Sequence, residues 1–257
     1  MIPFILFTCI VLAIIYFFVK GRKITTDDFT IDIPFLNREV LFFANLNESQ
    51  KKQFITDLKD FLKEIKITGV HTAITNEDRL LVASGAIIPV FNFPGWKYRN
   101  LTEVLLYANT FNKEFESEGN NERNILGMVG NGYLEGKMLL SQQALHESFL
   151  NHTDKRNTVI HEFAHLIDKA DGDTNGVPLV LMQQQYVIPW LDMIHTEMEK
   201  IKTGHSDIDP YAYTNKTEFF AVVSEYFFER PDLLEQHHPQ LFKLMQQMFE
   251  GTHKKTG

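Results

Sequence analysis

Thr158-Val159-Ile160-His161-Glu162-Phe163-Ala164-His165-Leu166-Ile167 places two histidines four residues apart, with a glutamate directly after the first. Residues four apart share one face of a helix. His161 and His165 therefore present two imidazoles to a single metal ion, the HExxH arrangement of a zinc-protease helix. Glu162 follows the first of them, where it can polarise a water at the metal. The flanking Val159, Ile160, Phe163, Ala164, Leu166 and Ile167 are apolar, so the same helix has a face to bury beside the face that would carry metal.

Three fixed letters also arise by chance, and a solvated His/Glu face reads identically. The metal reading needs a third protein ligand and an open fourth position for water. A metzincin arrangement would put a glycine three residues after His165 and the last ligand six after it. Asp168 and Asp171 stand there, and without the glycine the chain has no turn to bring Asp171 back. The better donors lie downstream, in Tyr211-Ala212-Tyr213-Thr214-Asn215-Lys216-Thr217-Glu218-Phe219-Phe220-Ala221-Val222-Val223-Ser224-Glu225-Tyr226-Phe227-Phe228. This apolar run carries two carboxylates, Glu218 and Glu225, on one helical face. Burying a carboxylate is costly unless it is paired or bound to metal. A second helix giving a Glu to an HExxH helix is the gluzincin scheme, with Asn215 or Thr214 as its cap and Pro231 marking its end. Periodicity does not choose between Glu218 and Glu225.

These residues carry a resemblance. Val159 to His165, Asn175-Gly176-Val177-Pro178, and the block from Asp209 through Phe228 resemble the Mlc titration factor family of zinc-dependent peptidases. Weaker matches lie at Ile88-Pro89-Val90-Phe91 and Glu103-Val104-Leu105-Leu106-Tyr107. The resemblance runs from roughly Phe42 to Phe249, and the catalytic domain of anthrax lethal factor is distantly similar. It implies Glu218 as third ligand to Zn2+ beside His161 and His165. It also implies Glu162 as general base and Tyr211 as hydrogen-bond donor to a tetrahedral oxyanion, although Tyr211 read alone is equally a packed aromatic. The family pattern has a further metal-reaching His after a Gly-x-Val. Here Gly127-Met128-Val129 is followed by Gly130, so an inhibitory fourth ligand from that loop is not expected. The implied fold is α+β, a zincin-like metalloprotease core; the patterns upstream of it add a helical N-terminal part and an N-terminal transmembrane helix. The implied partners are a peptide or protein substrate and, from the family name, a transcriptional regulator. A regulatory binding protein that sequesters such a repressor is the alternative to an enzyme, but a pure scaffold has no use for Glu162.

At 257 residues and 44% apolar content the chain supports a real core, unusually rich in phenylalanine with 22. A net charge of -8 argues against direct nucleic-acid binding. One cysteine, Cys9, excludes an intramolecular disulfide framework and fits a reducing compartment. Ser/His/Asp catalysis lacks a Gly-x-Ser-x-Gly elbow.

Ile2 to Val19 is an uncharged, mostly apolar run of 18 residues, about 27 Å as a helix and close to the thickness of a bilayer core. Lys20, Arg22 and Lys23 follow it, the reverse of a signal peptide. The basic side belongs in the cytoplasm. The expectation is a single-pass membrane anchor over 1–23, a polar linker over 24–40 and a cytoplasmic peptidase domain over 41–257.

Within that domain, Asn47 caps a helix with the apolar stripe Phe54, Ile55, Leu58, Phe61, Leu62 and Ile65. Asp78 to Phe91 reads as a buried helix ended near Pro89, and Val104 to Phe111 as a buried strand. Glu116 to Arg123 reads as a surface loop. Lys137 to Ser141 reads as the edge strand that takes extended substrate by β-augmentation. The acids of Asp171-Gly172-Asp173-Thr174-Asn175-Gly176 lack the spacing of a calcium loop. Asp168 stands one turn beyond His165, to orient a ligand or to cap the helix. His71, His146, His152, His195, His205, His237, His238 and His253 lack ligand spacing, and most of them are read as surface residues.

Overall fold

The structure, a computed structural model, describes residues 29–109, 127–130, 132–150 and 153–250. The expected anchor, Cys9, the Glu116–Arg123 loop, His152 and His253 lie outside them. No helix among the described residues is long and apolar enough to cross a membrane. The chain divides at Thr30/Ile31, and every element below belongs to the second unit.

Part of the stretch expected as a linker over 24–40 is helical, from Ile33 to Glu39. Asp32 is an N-cap rather than a linker acid: its carboxylate accepts from Phe35 N at 2.9 Å. It starts α1 (Ile33–Glu39), which buries Phe35 and Leu36, and α2 (Leu41–Ala44) then buries Phe43. Asn47 does cap α3 (Glu48–Glu64). Asn47 accepts from Gln50 N, Gln50 Oε1 accepts from Asn47 N, both at 3.0 Å, and Phe54, Leu58, Phe61 and Leu62 face inward.

A small mixed sheet follows, in the order β1-β2-β4-β3. The strands β1 (Lys66–Val70), β2 (Glu103–Tyr107) and β4 (Lys137–Ser141) run parallel, and β3 (Gly127–Val129) pairs antiparallel with β4. Val104 and Leu106 of β2 are fully buried, as expected of a strand flanked on both sides. Glu103 at its start is held at about 2: burial raises it, but Lys137, Thr68 and Lys66 outweigh burial. The fold is thus α+β, mostly helical around a four-stranded sheet.

Helix α4 (Asn76–Ile87) starts at a Thr75/Asp78 capping box and gives way to a tight turn at Ile88–Val90, where Pro89 supplies no N–H. After β4 come α5 (Gln142–Leu150) and α6 (Thr158–Asp168), the helix of the two histidines. The remaining helices are α7 (Val187–Lys202), α8 (Lys216–Glu229), α9 (Pro231–His237) and α10 (Pro239–Phe249). Pro231 therefore opens α9 directly after α8 ends.

The core around α6 is aromatic. Phe163 lies 5.0 Å from Tyr98 and 5.8 Å from Phe61 between ring centroids. Trp190 of α7 meets Phe219 and Phe220 of α8. Helices α4 and α6 approach closely at Gly85, where an added Cβ would sit 2.3 Å from Val159 Cγ1. Gly→Ala inside a helix ordinarily gains about 1 kcal/mol, while overpacking costs about 1–3 kcal/mol. Gly85→Ala is therefore expected to lower the urea midpoint of unfolding, and a raised midpoint would contradict this packing.

Candidate metal centre

Asn157 fixes the start of α6. Its Oδ1 accepts from Ile160 N at 3.0 Å, and its Nδ2 donates to Ser148 O at 3.1 Å and to Glu229 Oε1 at 2.7 Å. Its own N–H donates to Glu225 Oε2 at 2.7 Å. An N-cap of this kind contributes about 1 kcal/mol, and it sets the rotation of the helix and so the direction of both imidazoles. At the other end, Leu166 O accepts from Asn100 Nδ2 at 2.7 Å.

Helix α8 is registered against α6 through one glycine. Gly176 has φ +75°, and a Cβ there would lie 2.3 Å from Lys216 O at the start of α8. Its N–H donates to Asp168 Oδ2 at 2.9 Å, and its carbonyl accepts from Trp190 Nε1 at 2.7 Å. Asp168, fully buried, thus ties the end of α6 to the chain entering α8. It makes no hydrogen bond to His165: His165 Nδ1 and Asp168 Oδ1 are both buried without a hydrogen-bond partner among the described residues. The turn-rich loop that superficially suggests calcium ends at this close approach. Asn215 then caps α8 by accepting from Glu218 N at 2.9 Å, which puts the Glu218 carboxylate in the first turn, where the helix dipole favours it.

His161, His165 and Glu218 converge. His161 Nε2 lies 3.1 Å from His165 Nε2 and 3.1 Å from Glu218 Oε2, and His165 Nε2 lies 3.4 Å from Glu218 Oε2. Among the described residues this is the group of three metal-type side chains whose donor atoms lie within 4.8 Å of one another. Tetrahedral zinc with bonds near ~2.0–2.1 Å would separate its ligand atoms by about 3.3 Å, so the spacing fits.

Glu225, two turns further along α8, is arranged differently. Its Oε1 lies 2.6 Å from His161 Nδ1, the opposite side of the ring from Glu218. A carboxylate only accepts, so Nδ1 carries a hydrogen toward Glu225, and a metal ion at the trio would take the place of the second proton that Nε2 shares with Glu218. Distance thus separates the two acids that periodicity leaves equivalent.

The electrostatics suit a cation. Burial disfavours a charged His161, yet Glu225, Glu218 and Glu162 outweigh burial and hold it well above the ordinary histidine value. Glu218 is held well below the usual carboxylate range, because His161 and His165 outweigh its own burial. Glu162 moves the other way, raised chiefly by burial. It is 4% exposed, and its Oε2 has no hydrogen-bond partner among the described residues. Its neighbour across the site is β3: a Cβ on Gly127 would lie 2.6 Å from Glu162 Cγ and 2.7 Å from Oε1. Sequence alone gives Gly127 no role of its own, although a glycine inside a strand is the signal for such an approach.

Tyr211 lies on the tight turn Pro210–Tyr213, whose Asp209 accepts from Tyr211 N at 2.9 Å. Its ring is 6.1 Å from the His161 ring and 44% exposed, at the site but not packed in the core. The position after Val129 has no room for a side chain, since a Cβ on Gly130 would lie 2.2 Å from Leu134 O.

Two expectations are corrected. Lys137–Ser141 is paired on both sides, with β2 and β3, so its backbone groups are spent. Among the described residues the edge strand beside α6 is β3, too short to show any periodicity. The histidines read as surface residues also divide. His146 Nε2 lies 2.7 Å from the fully buried Asp78. His238 is 6% exposed and bridges Glu197 Oε2 (2.8 Å from Nδ1) and Asp207 Oδ1 (2.7 Å from Nε2).

Both ring nitrogens of His238 donate to carboxylates, so it is an imidazolium. Burial opposes that charge, but Glu197 and Asp207 prevail and raise its pKa. Asp207 also takes His237 at 2.7 Å, Lys155 at 2.5 Å and the Tyr226 hydroxyl at 2.8 Å, while Arg156 binds Asp209 at 2.7 Å. The loop bearing Tyr211 is thereby tied to the start of α6 and to the α9–α10 junction. A raised folded-state pKa means that this contribution is complete below the unfolded value, about 6.5. It is lost as pH rises through the folded value. His238→Gln should therefore cost most below about pH 6.5, and urea midpoints of the two proteins should converge on the alkaline side. Parallel curves would refute this.

The chain is similar to an uncharacterized protein of Synechocystis sp., 27% identical over 218 residues, covering 81% of this chain and 79% of that protein. It is similar to Mlc titration factor A of Pectobacterium atrosepticum, 27% identical over 234 residues, covering 85% and 83%. Mlc titration factor A of Yersinia pestis is 28% identical over 219 residues, covering 78% and 77%. The profile of the glucose-regulated metallo-peptidase M90 family matches residues 20–250, which include β1 to β4, both histidines and Glu218. The chain belongs to the glucose-regulated metallo-peptidase M90 family.

Proposed function

We propose that the chain is a zinc-dependent metallopeptidase with a zincin-like core, its metal held by His161, His165 and Glu218. The observation that carries this is the convergence of two imidazole nitrogens and one carboxylate oxygen at 3.1–3.4 Å, with a buried glutamate directly beside them. Bound there, zinc would polarise the scissile carbonyl and lower the pKa of a water toward ~7.

The protein's own groups do the rest. Glu162, buried and with its pKa raised, takes a proton from the attacking water and delivers it to the leaving amine. Its Oε2, without a hydrogen-bond partner among the described residues, leaves an acceptor for that proton. Tyr211 donates a hydrogen bond to the oxyanion, a contact worth about 3 kcal/mol in related chemistry. Strand β3, at the sheet edge and against Glu162, receives an extended peptide through its backbone. Residues 2–19 anchor the chain in a membrane with the peptidase on the cytoplasmic side.

A second reading follows from the relatives named Mlc titration factor A: binding a transcriptional regulator, with hydrolysis secondary or absent. The buried base and complete donor set favour hydrolysis. Purified full-length protein should cleave unstructured peptides, lose that activity to a chelator and regain it with stoichiometric zinc. Chelator-insensitive cleavage would refute the metal assignment, and zinc-loaded protein without peptidase activity would favour the binding reading.

A further inference from the structure

Helix α8 sends two carboxylates to one imidazole, one to each ring nitrogen. Glu218 approaches His161 Nε2 at 3.1 Å and Glu225 approaches Nδ1 at 2.6 Å. The spacing of seven residues, two helical turns, brings both to the same face of α8. Their connections differ: Glu218 also reaches His165, whereas Glu225 Oε2 accepts the N–H of Asn157, the cap of α6. Resting on the zinc reading above, we propose that Glu225 is the positioning residue of the first histidine ligand. It fixes the tautomer and rotation of His161 so that Nε2 faces the metal.

The asymmetry of the two histidines supports this. His165 Nδ1 has no hydrogen-bond partner among the described residues, so its ring is oriented by packing. His161 is oriented by a short bond to a carboxylate that is only 7% exposed and is itself pinned by a backbone N–H. A side chain so held cannot rotate away without leaving a buried charge and the α6 cap unpaired. Carboxylates in this role typically set metal affinity by about ten- to a hundredfold. One carboxylate thereby couples the rotation of α6 to that of α8. Any movement that parts the helices loosens the first ligand along with the third.

The test is zinc affinity of the purified full-length protein by competition with a chromogenic chelator. Glu225→Ala is compared with Glu225→Gln and with Glu229→Gln, which touches Asn157 Nδ2 but not His161. Glu225→Ala should weaken zinc by about ten- to a hundredfold. Glu225→Gln should weaken it less: its amide oxygen can still accept from Nδ1, while its NH2 faces the Asn157 N–H. Glu229→Gln should leave affinity within about twofold. Substituted cobalt should show altered visible absorption in Glu225→Ala and not in Glu229→Gln, a change that a general loss of stability would not produce.

Affinity in Glu225→Ala within about twofold of the parent overturns the proposal, as does equal weakening in Glu229→Gln. If Glu225→Ala fails to fold, zinc affinity and cobalt spectra of Glu225→Gln decide between the same two outcomes. Failure of the zinc reading is distinguishable, because the parent would then bind no stoichiometric metal and both claims would fall together.

Discussion

Glu162→Gln is expected to lower kcat for peptide cleavage by about 10²–10⁴-fold while leaving zinc content unchanged. General acid–base catalysis contributes a factor of that size, and glutamine keeps the shape of the side chain without its basicity. The separation of effects matters as much as their size. Glu162 stands next to His161 in the chain but is not in the convergent trio, so its charge is not needed to hold metal. Parallel kcat and zinc measurements on the two proteins decide it. Full activity in Glu162→Gln would remove the base assignment. Loss of zinc together with activity would make Glu162 part of the metal site.

Gly127→Ala should act on the same group without touching its chemistry. Gly127 has no positive φ, so glycine is needed there for space and not for conformation. The added methyl would stand within 2.9 Å of Glu162 Cγ, Oε1 and Cδ, and the carboxylate must shift. Displacing a catalytic group by about 1 Å can cost about a hundredfold. The expected result is a fall in kcat of about that size with KM, zinc content and thermal midpoint near those of the parent. Unchanged kcat would mean that Glu162 works from another position or does not work at all. A large loss of stability would mean that the contact is only packing.

The HExxH helix is legible in the sequence because its letters are dense, His161, Glu162 and His165 falling within five residues, and Glu218 and Glu225 stand out as candidate third ligands because their helix is too apolar for unpaired carboxylates. Asn47 is legible as a cap for a similar reason, since one short polar side chain before an apolar run has few other uses, whereas Asn215 and Thr214 stay equivalent until the structure shows Asn215 accepting from Glu218 N. Glu225 is visible but unassigned, because a spacing of seven puts it on the same face as Glu218. Only the distances show that one acid reaches both Nε2 atoms and the other reaches Nδ1. The role of β3 is not legible at all. Three residues carry no periodicity, and whether a strand is an edge depends on the order β1-β2-β4-β3, which no local pattern encodes. His238 is not told apart from the surface histidines in the sequence because its partners Glu197 and Asp207 lie 41 and 31 residues away. Asp32 reads wrongly as part of a linker because an isolated acid just ahead of a proline looks the same whether or not a helix follows.

Helices α6 and α8 are held here to grip one metal ion between them, and nothing probes that more simply than the metal content of the purified full-length protein and of Glu218→Ala. One zinc per chain is expected in the parent and less than about a tenth of that in the variant, with both proteins folded, since a catalytic site relies on all three protein ligands. Absence of metal from the parent, or a full complement retained after Glu218 is replaced, would contradict it.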